Sequence, residues 1–110
     1  MDPRPGEVYL VDLGMAAKPR PAVVVSRYDP DRPLALITFA SITSRNRHSR
    51  YEVSLGQPRF LHEESWVNVQ SVTQIDPRQL GRKIGTLSGE QMRQIREALA
   101  YLFECVPGNA

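Results

Sequence analysis

The sequence predicts a mainly β fold of the α+β class: a curved, mostly antiparallel sheet followed by one amphipathic helix. Three observations carry that expectation. About five short runs rich in β-branched and aromatic residues are separated by Pro, Gly and Asp turn signals. The gaps between them are too short for the crossover helices that parallel strands require. The last segment opens on Ser88 and Gln91, which make a capping box, and then repeats apolar residues at helical spacing.

In chain order, Pro5-Gly6 is a turn signal, and residues 7–13 (EVYLVDL) read as the first strand. Residues 14–19 are a loop. Residues 22–26 (AVVVS) are a short apolar run, expected as a strand buried on both faces. DPDRP at 29–33 is a turn. The strand at 34–43 (LALITFASIT) sets Leu34, Leu36, Thr38, Ala40 and Ile42 on one face and Ala35, Ile37, Phe39, Ser41 and Thr43 on the other.

A basic loop follows, then a short strand at 51–55 and a Gly/Pro-containing connection at 56–64. Residues 66–72 (WVNVQSV) alternate Val67 and Val69 against Trp66, Asn68 and Gln70, the half-buried strand pattern. Residues 82–87 read as a last short strand or bend. In the helix, Met92, Ile95, Leu99, Leu102 and Phe103 form the apolar stripe, with Arg93, Gln94, Arg96 and Glu97 on the wet side.

A length of 110 residues suits one compact domain spanning 1–110, with a core small enough to make an oligomer plausible. The composition, 41% hydrophobic and 24% charged, is that of a globular chain and excludes a disordered one. One cysteine, Cys105, excludes an internal disulfide and fits a reducing cytoplasm. The N-terminal residues carry no apolar signal segment, and no apolar run approaches the roughly 20 residues of a membrane helix.

The net charge of +2 says less than its distribution. Residues 44–50 (SRNRHSR) hold three arginines, one histidine and no acid. A cofactor or metal is not expected. The two histidines are far apart in sequence, the acids are scattered, and no Gly-rich phosphate loop or nucleophile elbow is present.

Arg20 is the first candidate. Pro19 and Pro21 each fix φ, and Pro21 drives Arg20 into an extended conformation. A stiff mount loses less entropy when the side chain engages a ligand. The guanidinium is a permanent cation whose planar fork matches phosphate oxygens. Thr43 and Ser44 stand where the long strand meets the basic loop, so their hydroxyls either form a turn or donate to a phosphate held by Arg45, Arg47 and Arg50. His48, in the same loop, is a candidate for proton transfer. Trp66 either stacks on a base or packs into core or interface. His62, beside Glu63-Glu64, reads as surface decoration.

In one register, PGEVYLVDLG (5–14), RPAVVVS (20–26), ITSR (42–45) and WVNVQSVTQIDPRQLGRKIGTLSGEQMRQIREAL (66–99) resemble the MazF/PemK toxins of bacterial toxin–antitoxin pairs. The resemblance implies an SH3-like barrel sheet of MazF/CcdB type with a C-terminal helix, and a homodimer. It implies metal-independent cleavage of single-stranded RNA at a short sequence, leaving a 2′,3′-cyclic phosphate and a 5′-OH. Arg20 and Thr43 match the family's catalytic arginine and threonine. Lys18, Ser44, Arg45, Arg47, His48 and Arg50 are then expected to contact RNA. The implied partner is an acidic, partly disordered antitoxin that covers the RNA groove.

The sequence departs from the family pattern in two places. The first loop is short. The later strand carries uncharged Asn68 and Gln70 where some relatives have an arginine and an acid that assist catalysis. Two other readings keep the fold: a gyrase-poisoning toxin acting through its C-terminal helix, and a binding module that holds RNA without cutting it.

Overall fold

The computed structural model describes residues 2–12 and 18–105. Six strands form one antiparallel sheet: β1 (Glu7–Val11), β2 (Arg20–Val24), β3 (Ile37–Thr43), β4 (Glu52–Gly56), β5 (Ser65–Ile75) and β6 (Leu80–Thr86). They run in the order β4-β5-β3-β2-β1-β6, and a helix, α1 (Gly89–Leu102), follows. The fold class is the one the sequence predicts. The sheet is strongly irregular but open, because β4 and β6 end the order and are not hydrogen-bonded to each other. The loop expected at 14–19 lies largely outside the described residues.

Alternation along the strands builds two apolar clusters. Val8 and Val23 point to one, with Ala40, Ile42, Val53, Val67 and Val69. Their neighbours Tyr9, Ala22 and Val24 point to the other, with Ile37, Phe39 and Ile75. The run at 22–24 is therefore buried on both faces, as its composition requires. Helix α1 covers the first cluster with Met92, Ile95 and Ala98. Its start is capped as expected: Ser88 Oγ accepts from Gln91 N–H at 3.1 Å, and the Gln91 side chain accepts from Ser88 N–H at 2.9 Å. Phe103 differs from the expected stripe. It is the C-cap and is 62% exposed.

Several strand limits differ from the sequence reading; β2, expected at 22–26, runs over Arg20–Val24. β3 starts at Ile37, and Leu34 and Leu36 lie exposed before it. β5 runs on to Ile75, with an irregularity: Phe39 faces Thr73, but Ser41 faces Asn68. Ser71 fills the break, accepting from Ser41 N–H at 2.9 Å and donating to the Asn68 carbonyl at 2.6 Å.

β6 is a full strand of seven residues. A one-turn helix at Pro77–Gln79 reverses the chain before it. Asp76 accepts from Arg78 N–H at 2.8 Å, and Gln79 accepts from Asp76 N–H at 3.1 Å. β6 then pairs with β1, and Lys83 reaches Glu7 at 2.9 Å. Burial raises the Glu7 carboxyl, but bonds from Lys83, the Arg4 N–H and the Tyr9 hydroxyl outweigh it and hold Glu7 below the usual carboxylate range. Burial, and then the bond to that carboxylate, push Tyr9 up to about 12.

Candidate active site

β2 and β3 pair with Ala22 opposite Ser41, Val23 opposite Ala40 and Val24 opposite Phe39. Two residues further along the same register stand Arg20, which opens β2, and Thr43, which ends β3. Antiparallel pairing thus sets the two strand ends side by side, although 22 residues separate them in sequence. Both line one cleft of about 390 Å³, and Ser44 lines it with them.

Arg20 is exposed between its two prolines, and its side chain makes no hydrogen bond or ion pair among the described residues. Thr43 is half-buried, and its Oγ1 accepts the Arg45 N–H at 3.1 Å. That bond uses a lone pair and leaves the hydroxyl proton free to donate.

The rest of the cleft comes from segments the sequence reading passed over. The connection between β4 and β5 supplies Phe60, Leu61, His62 and Glu63, and β6 supplies Arg82 and Ile84. His62, expected as surface decoration, belongs to the lining. The connection is braced from within: Gln57 Nε2 donates to the His62 carbonyl at 3.1 Å, and buried Ser65 Oγ donates to the Glu63 carbonyl at 2.8 Å. Arg82 makes no hydrogen bond or ion pair among the described residues. Among the described residues, the cleft thus holds two guanidinium groups without protein partners and one carboxylate, Glu63.

The basic loop lies outside that lining. Lys18, Arg45, Arg47, His48 and Arg50 are exposed and are not cleft residues. Glu52 organises the loop, accepting from Arg47 N–H at 3.0 Å, Ser49 N–H at 3.0 Å and Ser49 Oγ at 3.1 Å. Slight burial raises the Glu52 carboxyl, but these bonds prevail and hold it below the usual range. His48 sits at φ 55, with its N–H donated to Asn46 Oδ1 at 2.8 Å. The Arg50 guanidinium lies 3.9 Å over the Tyr101 ring at the end of α1.

Trp66 stands opposite Thr43 on β5 and is half-buried. Asn68 and Gln70 knit the irregular part of β5, with Gln70 N–H donating to Asn68 Oδ1 at 2.9 Å, and neither lines the cleft. Among the described residues, no three of His, Cys, Asp and Glu gather as metal ligands would.

Residues 4–103 match the family model of the PemK-like, MazF-like toxin of type II toxin-antitoxin system. The chain belongs to the PemK/MazF toxin family. Solved structures agree over nearly the full length of both partners. A Mycobacterium tuberculosis toxin, MazF-mt6, is 29% identical with a TM-score of 0.77, over 92% of this chain and 97% of that one. An endoribonuclease in complex with its cognate antitoxin, from a mycobacterial species, is 26% identical with a TM-score of 0.81, over 94% of this chain and 97% of that one. MazF in a MazE–MazF complex from Deinococcus radiodurans has the same fold at 20% identity, with a TM-score of 0.75 over 94% of this chain and 96% of that one. No curated protein was found to match the chain. The PemK/MazF assignment covers both strands that bear Arg20 and Thr43, as well as β6 and the whole of α1.

Proposed function

We propose that this PemK/MazF toxin is a sequence-specific endoribonuclease that cuts single-stranded RNA without a metal and is neutralised by a cognate antitoxin. The observation that carries the reading is the register that sets Arg20 beside Thr43 at one cleft. The 2′-oxygen of the substrate attacks its own phosphorus, and the bond to the 5′-oxygen breaks. The 2′-hydroxyl proton leaves and the departing 5′-oxygen gains one, giving a 2′,3′-cyclic phosphate and a 5′-OH.

Negative charge on the phosphoryl oxygens grows along this path. Donors already in place stabilise the transition state more than the ground state. Arg20 supplies the cation and Thr43 the neutral donor. Arg20 stays protonated, so it is not the base. His62, which lines the cleft, or a water takes the proton; His48 stands outside the lining. The nucleophile belongs to the substrate and the charge is met by guanidinium, so the step calls for no metal.

The same reading places the protein in the cytoplasm as a homodimer, where its exposed Cys105 stays a free thiol. No helix among the described residues is long and apolar enough to cross a membrane. The antitoxin, being acidic, would compete with RNA for the unpaired guanidinium groups. The deciding experiment incubates the protein with end-labelled single-stranded RNAs in EDTA. Discrete cuts ending in 2′,3′-cyclic phosphate, lost in Arg20→Ala, are expected. Intact RNA across a broad set of sequences overturns the reading.

A further inference from the structure

Phe60 and Gly85 meet at the edge of the cleft in a way the proposed chemistry does not use. Phe60 lies between β4 and β5, and Gly85 lies on β6, at the other end of the strand order. A Cβ placed on Gly85 would sit 2.2 Å from Phe60 Cδ1, 2.4 Å from Cε1 and 2.5 Å from Cγ. The ring therefore rests on bare glycine backbone, in space any other residue would fill. It is half-buried and still lines the cleft that Arg20 and Thr43 share. Beside it, the side chains of His62, Glu63 and Arg82 have no hydrogen-bond partners among the described residues.

An aromatic ring backed by packing and open to a cationic cleft is what single-strand binders use to stack a base. A volume of about 390 Å³ is at the small end of the roughly 300–1,000 Å³ range of ligand pockets and suits one nucleotide. We propose that Phe60, seated on Gly85, is the platform on which a nucleobase flanking the scissile phosphate stacks. Phe60 is a residue of substrate selection, outside the bond-breaking step. This rests on the nuclease reading above, because the phosphate end of the nucleotide is fixed by Arg20 and Thr43.

The test first maps the preferred cut with wild-type protein in EDTA. An uncleavable oligonucleotide with a 2′-deoxy sugar at that cut is then titrated, with normal bases or with one flanking position abasic. Wild-type protein should lose roughly 5- to 150-fold in affinity at one abasic position. Phe60→Leu keeps an apolar side chain over Gly85. It should bind the normal oligonucleotide about as weakly as wild type binds the abasic one, with no further loss when the base is removed. Phe60→Tyr should restore the abasic penalty. Gly85→Ala, which evicts the ring, should behave like Phe60→Leu, with thermal melts confirming that both variants fold.

An undiminished abasic penalty in Phe60→Leu overturns the platform. So does an unchanged cut-site preference in that variant. If Arg20→Ala abolishes cutting while Phe60→Leu matches wild type, the platform alone falls. If wild-type protein cuts no RNA, the nuclease reading falls and takes this inference with it.

Discussion

The basic loop and the cleft hold arginines in different settings. Between Ser44 and Arg50 the charge is densest in sequence, yet the loop is already bonded to the protein itself. Glu52 gathers the backbone of Arg47 and Ser49, and Arg50 lies on Tyr101. In the cleft only two arginines occur, far apart in sequence. Neither has a protein partner among the described residues. Glu52 holds Arg47 only through its backbone N–H, so what separates the two groups is place: the loop's guanidinium groups stand on open surface, whereas those of Arg20 and Arg82 stand at a concave site. Density of charge along a chain therefore marks a surface that would attract a polyanion, and topology marks where, on the proposed reading, RNA is held.

The largest expected effect belongs to the cleft. Arg20→Ala should lower the cleavage rate by on the order of 10²–10³, the usual loss for one transition-state donor. Its melting temperature should barely change, because the side chain is exposed. Single-turnover kinetics on a mapped substrate decide this, and a larger rate loss in Arg47→Ala than in Arg20→Ala would break the comparison. Thr43→Val should follow at about 10²-fold, with Thr43→Ser recovering most of the rate. Equal losses in both variants would show that the hydroxyl is not the working group.

Smaller effects should appear in the loop. Arg45→Ala and Arg47→Ala should each flatten the dependence of log affinity on log salt by roughly 0.7, the value for one phosphate contact on a single strand, while kcat at saturating RNA stays near wild type. Smaller again is the acid response of the loop. Glu52 is held below its ordinary 4.5 by the bonds it accepts, so its contribution is present above that pH and is lost as pH falls through the folded value. Amide resonances of Arg47 and Ser49 should move together in that acidic window and stay still in Glu52→Gln. The smallest effect is Arg50→Ala, a stability loss of about 0.5–1 kcal/mol through the Tyr101 ring, read by denaturant titration. Tyr101→Leu should lose a similar amount.

These contrasts follow what the sequence could and could not reveal. Local chemistry was readable: the Ser88–Gln91 box caps α1 as expected, and two prolines were enough to single out Arg20. The placement of Thr43 beside it follows from pairing two neighbouring strands. What was hidden needed contacts across the whole chain. β6 is a strand because it completes β1, with Lys83 and Glu7 joined across 76 residues. The run LGRKIGT carries no strong alternation of its own to announce that. The wall formed by Phe60, His62 and Glu63 sits in a Gly/Pro-containing connection, where periodicity is silent. The extended β5 escaped because Ser71, a polar side chain, substitutes for missing ladder bonds.

The ends of this sheet are joined near the cleft by a phenyl ring resting on a glycine, with no backbone ladder between β4 and β6. A seam of that kind resists sliding and parting only through dispersion and apolar contact, which are individually weak and carry no direction. A side chain added at position 85 would displace that ring and so reshape the cleft the ring lines.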